Sequence, residues 1–134
     1  MIAPLLLAAV TVTGAWSRPA IDTGVVYAQI HNNSGHRVAL VGASTARARH
    51  AELHESTSSM GTMQGMTMPM ESMHPVSHIV IPPHGTLALS PGGYHLMLLG
   101  LRGPLVAGQH VVVTFHFSDG EVVHTAASVE NRGM

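Results

Sequence analysis

Cysteine is absent from this 134-residue chain. That excludes disulfides, zinc fingers, thiolate clusters and any copper centre built on a cysteine sulfur. Charge is scarce too: 10% of residues are charged, six basic against seven acidic, for a formal net charge of −1. Nucleic acid and anionic membrane surfaces need a basic stripe, so neither is expected as a partner. Enzyme motifs are missing. There is no nucleophile elbow, no phosphate-cradling glycine loop, no HExxH and no carboxylate pair for acid–base work. The chain therefore reads as a binding protein and not as an enzyme.

What is present is apolar bulk and an unusual donor set. Hydrophobic residues make up 46% of the chain, enough for one domain with a real core. Eleven histidines and nine methionines exceed ordinary usage several-fold. The first fifteen residues, MIAPLLLAAVTVTGA, form an apolar run shorter than the ~20 residues that usually span a bilayer. They read as a signal peptide or N-terminal apolar segment over 1–15, with a cut after Ala15, although no Lys or Arg precedes the run. An exported, periplasmic domain over 16–134 follows, with no stable membrane insertion expected.

After Trp16 the chain shows short apolar runs of period two, punctuated by Gly, Pro and Asn. Strands are expected around Val26–Ile30, Arg37–Ala43, Ala48–His54, Ile79–Ile81, Leu87–Leu89, Tyr94–Leu99, Val111–Phe117 and Glu121–Val129, the last two as a hairpin across Ser118-Asp119-Gly120. No segment sustains a helical period. Seven or eight short strands predict an all-β domain, a single immunoglobulin-like Greek-key β-sandwich. One stretch breaks the alternation. STSSMGTMQGMTMPMESM, residues 56–73, fits neither strand nor helix and reads as a methionine-rich flexible loop. Its methionines are either a low-complexity feature or secondary soft ligands.

His95-Leu96-Met97 lies in an expected strand, so His95 and Met97 share one face, roughly 6.5–7 Å apart. Tyr94, Leu96 and Leu98 take the other face. His54, at the end of an earlier strand, can meet the His95 face, and Met73 could close a fourth side. Thioether sulfur and neutral imidazole suit the soft copper(I) ion, whereas magnesium, calcium and manganese prefer harder oxygens. A cysteine-free set also escapes oxidation to disulfides outside the cytoplasm.

From Val25 to about Val129 the chain resembles the periplasmic copper chaperone family that serves the CuA centre of cytochrome c oxidase. The matching pieces are VVYAQIHNNSG, LVGAS at Leu40–Ser44, AELHES around His54, MHPV from Met73, IPPHGTLALSPGGYHLMLLGL from Ile81, and VVVTFHF. That family carries a His, a Met, twenty-one residues and then His-x-Met, and residues 74–94 supply the twenty-one here. The resemblance implies a cupredoxin-like sandwich and a copper(I) site of His54, Met73, His95 and Met97. It implies a monomeric metallochaperone that delivers the ion through a transient contact with cytochrome c oxidase subunit II. Eighteen residues separate His54 from Met73, eight more than the family's usual ten: either Met73 keeps its role and the loop bulges out, which the spacing to His95 favours, or Met70 or Met68 substitutes for it. The competing reading is a copper storage or resistance protein that buffers several ions on the methionine-rich segment.

Overall fold

Alternating burial defines the strands. In HVVVTFHF, Val111, Val113, Phe115 and Phe117 are buried while the residues between them are not, the signature of a strand with one face on a core. The structure is a computed structural model that describes residues 9–63 and 65–132. Ten strands are present: β1 (Val10–Ser17), β2 (Thr23–Asn32), β3 (Val38–Ser44), β4 (Ala48–Met63), β5 (Met66–Pro75), β6 (Ile79–Ile81), β7 (Thr86–Leu89), β8 (Tyr94–Leu101), β9 (His110–Phe117) and β10 (Val122–Val129). No helix occurs among the described residues, and the expected all-β fold is the observed one.

The strands form one hydrogen-bonded ladder in the order β5-β4-β8-β7-β2-β1-β10-β9-β3-β6. Its two halves face each other across a single core that draws on both, including Val26, Ile30, Leu53, Leu96 and Leu98 from one and Val38, Leu40, Val111, Val113 and Phe115 from the other. β1 is the seam. It runs antiparallel to β2, while Trp16 and Ser17 also pair in parallel with Ser128 and Val129 of β10. The register shifts between Thr13 and Trp16, where Gly14 takes a φ of +63° that a side chain would strain.

Two expectations change. Val10 to Ala15, placed at the end of the exported segment, are six of the eight residues of β1, and Val10 is 1% exposed. A cut after Ala15 would remove most of a strand that joins the halves, so the folded domain includes Val10. The first eight residues lie outside the described residues. The second change concerns 56–73. Ser56 to Met63 and Met66 to Met73 are not a loop but the outer part of the β4–β5 hairpin, paired from His54↔Pro75 to Met63↔Met66. Polar composition hid it: a two-stranded ribbon has no core face, so no apolar alternation marks it. Cross-strand pairing supplies the order instead, including a Thr57–Ser72 hydroxyl bond of 3.1 Å.

The hairpin β9–β10 turns where expected, with the Glu121 amide donating to Asp119 Oδ1 at 2.8 Å. Buried Asn32 fastens the turn after β2: its Nδ2 donates to the carbonyls of His36, Ile81 and Pro82 at 2.9–3.1 Å, and its Oδ1 accepts from Ser34.

Candidate metal centre

The site is built on three adjacent strands. β8 lies between β4 and the first half of β2. Leu53, Leu96 and Val26 turn inward from these strands to the core, and all are buried. The other face therefore belongs to the intervening residues: Glu52, His54 and Ser56 on β4, His95 and Met97 on β8, and Val25 and Tyr27 on β2. Antiparallel register places His54 directly opposite His95, and Glu52 opposite Met97. The two imidazole rings are 5.8 Å apart, centroid to centroid, tilted by 36°.

His95 is only 3% exposed although it faces away from the core. It stands in a cleft of about 250 Å³ whose walls include Arg18, Tyr27, Ser56, Met73 and the Pro91-Gly92 turn. The expected turn before His95 is present, with Gly92 at a φ of +84°. That glycine-favoured conformation swings the chain back so that Gly93 O lies 3.1 Å from His95 Nδ1. A carbonyl only accepts, so Nδ1 carries the proton and Nε2 the lone pair. His54 is arranged the opposite way. Its Nε2 donates to Glu52 Oε2 at 3.0 Å, which leaves the lone pair on Nδ1.

Those two lone-pair nitrogens, His54 Nδ1 and His95 Nε2, are buried and have no hydrogen-bond partner among the described residues. An unsatisfied buried polar atom costs about 1–3 kcal/mol, and two on facing residues call for a ligand. Each ring is also held by an outer partner on its second nitrogen, the arrangement that fixes tautomer and ring orientation at metal sites. Among the described residues no three His, Asp or Glu side chains gather, so further donors must be of another type. Sulfur is at hand. Met97 follows His95 on the same face and is partly buried. Met73 lines the cleft and is 56% exposed.

The hairpin register separates the candidate sulfurs. Met73 pairs with Ser56 and shares the His54 face, whereas the register pairs Met70 and Met68 with Ser59 and Gly61, farther along the hairpin. His74 is on the face opposite His54 and sits 3.4 Å from Glu55. Burial, then a hydrogen bond to Glu55 and its negative charge, raise the Tyr94 phenol above its ordinary value. Sequence reasoning overlooked Glu52 and the Gly93 carbonyl as partners of the two rings. Glu52 was legible, since it precedes His54 by two residues in a strand. Beyond the cleft Trp16 packs against Tyr27, ring centroids 5.0 Å apart and planes tilted by 42°, and Arg18 lies 5.6–5.7 Å from both rings.

Known proteins share this framework. The family described as "Putative lipoprotein LpqE-like" matches residues 10–129. A protein of Leifsonia xyli subsp. xyli, "Putative lipoprotein Lxx21020", is 36% identical over 126 residues, covering 91% of this chain and 70% of the relative. The solution structure of CuI-DR1885 from Deinococcus radiodurans is 32% identical, with a TM-score of 0.64 over 90% of this chain and 79% of that one. The copper-bound PCuAC domain from PmoF2 superposes with a TM-score of 0.72 over 98% of this chain and all of its own, at 17% identity, a likeness of fold. With its motifs, its β-sandwich and its relatives in agreement, the chain is a member of the LpqE-like family built on the PCuAC fold.

Proposed function

We propose that this chain is an extracytoplasmic copper(I) carrier that holds one ion with His54, Met73, His95 and Met97. The observation that carries this reading is the pair of buried, unpartnered imidazole nitrogens on cross-strand neighbours. Both rings offer a neutral donor, both are oriented by a second partner, and the thioethers of Met97 and Met73 stand on the same face. Such a set is soft and uncharged, which suits copper(I) over zinc or the hard divalent ions. The copper-bound state of DR1885 at 32% identity supports the same choice. Four soft ligands leave no open position for a substrate, in keeping with a carrier and not a catalyst.

Delivery is the second part of the proposal, with the CuA domain of cytochrome c oxidase subunit II as the acceptor. It rests on the resemblance of the motifs around His54 and His95. The graded exposure of the donors supports transfer: Met73 is 56% exposed and His95 3%, so an incoming ligand would displace the methionine first. The lipoprotein description of the family and its Leifsonia relative supports a place in the cell envelope. Mixing the copper(I)-loaded chain with the metal-free CuA domain should move copper to the acceptor within a transient complex. Retention of the ion, with several more taken up per chain, would favour storage.

Glu52 gives a finer test. Outer partners of metal-bound histidines are worth about 10–100-fold in affinity, and the Glu52 side chain is 47% exposed, which places it at the weak end. Glu52→Ala is expected to lower copper(I) affinity about tenfold in competition with a chromophoric chelator. Glu52→Gln keeps an acceptor oxygen and should lose much less. Equal loss in both variants would make the charge, and not ring orientation, the operative feature.

A further inference from the structure

We infer that Tyr94, Glu55 and His74 form a clamp on the reverse side of the candidate metal centre, and that this clamp positions Met73. The register carries the inference. Glu55 of β4 stands directly opposite Tyr94 of β8 and directly opposite His74 of β5, so the three residues make one row across three strands. The row lies on the core side of the sheet, since Leu53 and Leu96, two residues away along β4 and β8, are both buried. Each member is the chain neighbour of a residue of the proposed ligand set: Tyr94 of His95, Glu55 of His54 and His74 of Met73.

The contacts join the row from end to end. The Tyr94 hydroxyl donates to the Glu55 carboxylate, and His74 Nε2 lies 3.4 Å from Glu55 Oε1. One carboxylate thereby ties β5 to β8 across β4. The His74 and Glu55 side chains are 47% and 33% exposed, and an ion pair so open to water adds little to global stability. Its effect is therefore expected in local geometry.

Met73 is the donor that most needs such a hold. It is 56% exposed, so packing does not fix it, and it sits on the edge strand of the sheet. Backbone ladders set the spacing of strands but leave the twist between neighbours a range of roughly −10 to −35°. Side chains joined across the row narrow that range one residue from Met73. His54 and His95 depend on it less, because each ring has its own outer partner in Glu52 or the Gly93 carbonyl. The effect of the clamp on copper rests on the ligand set proposed above, whereas the placing of Met73 is readable without the ion.

Two readouts test it. In the metal-free chain, methyl spectra report the surroundings of each labelled methionine. Glu55→Ala and His74→Ala should each shift the Met73 signal toward that of an unstructured methionine and leave the Met97 signal in place. Tyr94→Phe keeps the ring and the charge but frees the carboxylate, and should shift the Met73 signal the same way by less. In competition with a chromophoric chelator, Glu55→Ala should bind copper(I) about tenfold more weakly than the parent, the low end for an outer partner. The same change in a Met73→Leu background should cost less than about twofold, because the residue it positions is gone. A Met73 signal that stays still in both alanine variants would overturn the clamp. So would an affinity that Glu55→Ala leaves unchanged, or an equal loss in both backgrounds, the mark of a charge effect. A parent without tight binding, or a Met73→Leu variant as tight as the parent, would sink the ligand set and leave the methyl signals to decide the clamp.

Discussion

Replacing His95 and Met97 together with alanine should abolish tight copper(I) binding while leaving the fold in place. An outer partner of a metal-bound histidine is worth about 10–100-fold; two direct donors together should exceed about 1000-fold, or ~4 kcal/mol. The fold should survive for a local reason. His95 is buried, so truncation opens a small void, but it also removes the unsatisfied Nε2, whose burial costs about 1–3 kcal/mol. The two effects oppose each other. Thermal unfolding of the metal-free variant is expected within a few degrees of the parent, by about the 1 kcal/mol difference such a balance leaves. Chelator competition reads the binding and circular dichroism the fold. Tight binding that persists in the double variant would remove β8 from the site.

The second large effect concerns β1. A chain that starts at Trp16 loses Val10 to Thr13, which pair with Asn32 to Gln29 of β2. Val10 is 1% exposed, and fully burying such a side chain contributes about 1.5–3 kcal/mol. Each lost backbone hydrogen bond adds about 0.5–1.5 kcal/mol. The shortened chain should be less stable by at least about 3 kcal/mol, a large part of the 5–15 kcal/mol typical of a domain, and its melting temperature should fall by about 10 °C or more. The full chain is the reference for that comparison. Equal stability of the two would make the first half of β1 dispensable and restore the boundary after Ala15. Otherwise any cut made on export falls before Val10.

The unpaired nitrogens of His54 and His95 also link stability to function. In the proposed centre the ion would give these buried lone pairs the partner that the metal-free protein lacks, so it should raise stability as it binds. The hydrogen bonds that the rings donate to the Glu52 carboxylate and the Gly93 carbonyl keep them in place in the meantime.

Several of these features are local and were readable along the chain. Val111 to Phe117 and Tyr94 to Leu99 alternate in hydrophobicity, and a two-residue period is enough to specify a strand and its buried face. The Pro91-Gly92-Gly93 turn follows from the conformational freedom of glycine, and His95 and Met97 share a face because they are two residues apart. The lack of cysteine by itself ruled out thiolate and disulfide chemistry. Other features depend on which strand lies beside which, and no local pattern encodes that. Only register sets His54 against His95, and only the hairpin's pairing puts Met73 on their face. The polar outer part of the hairpin carries no alternation because neither of its faces meets a core, so it looked like a loop. β1 looked like the end of a leader because an apolar strand and an apolar leader share a composition. Side-chain chemistry and local periodicity were thus fixed along the chain, whereas partners, tautomers and the edges of the domain came from contacts between residues far apart in it.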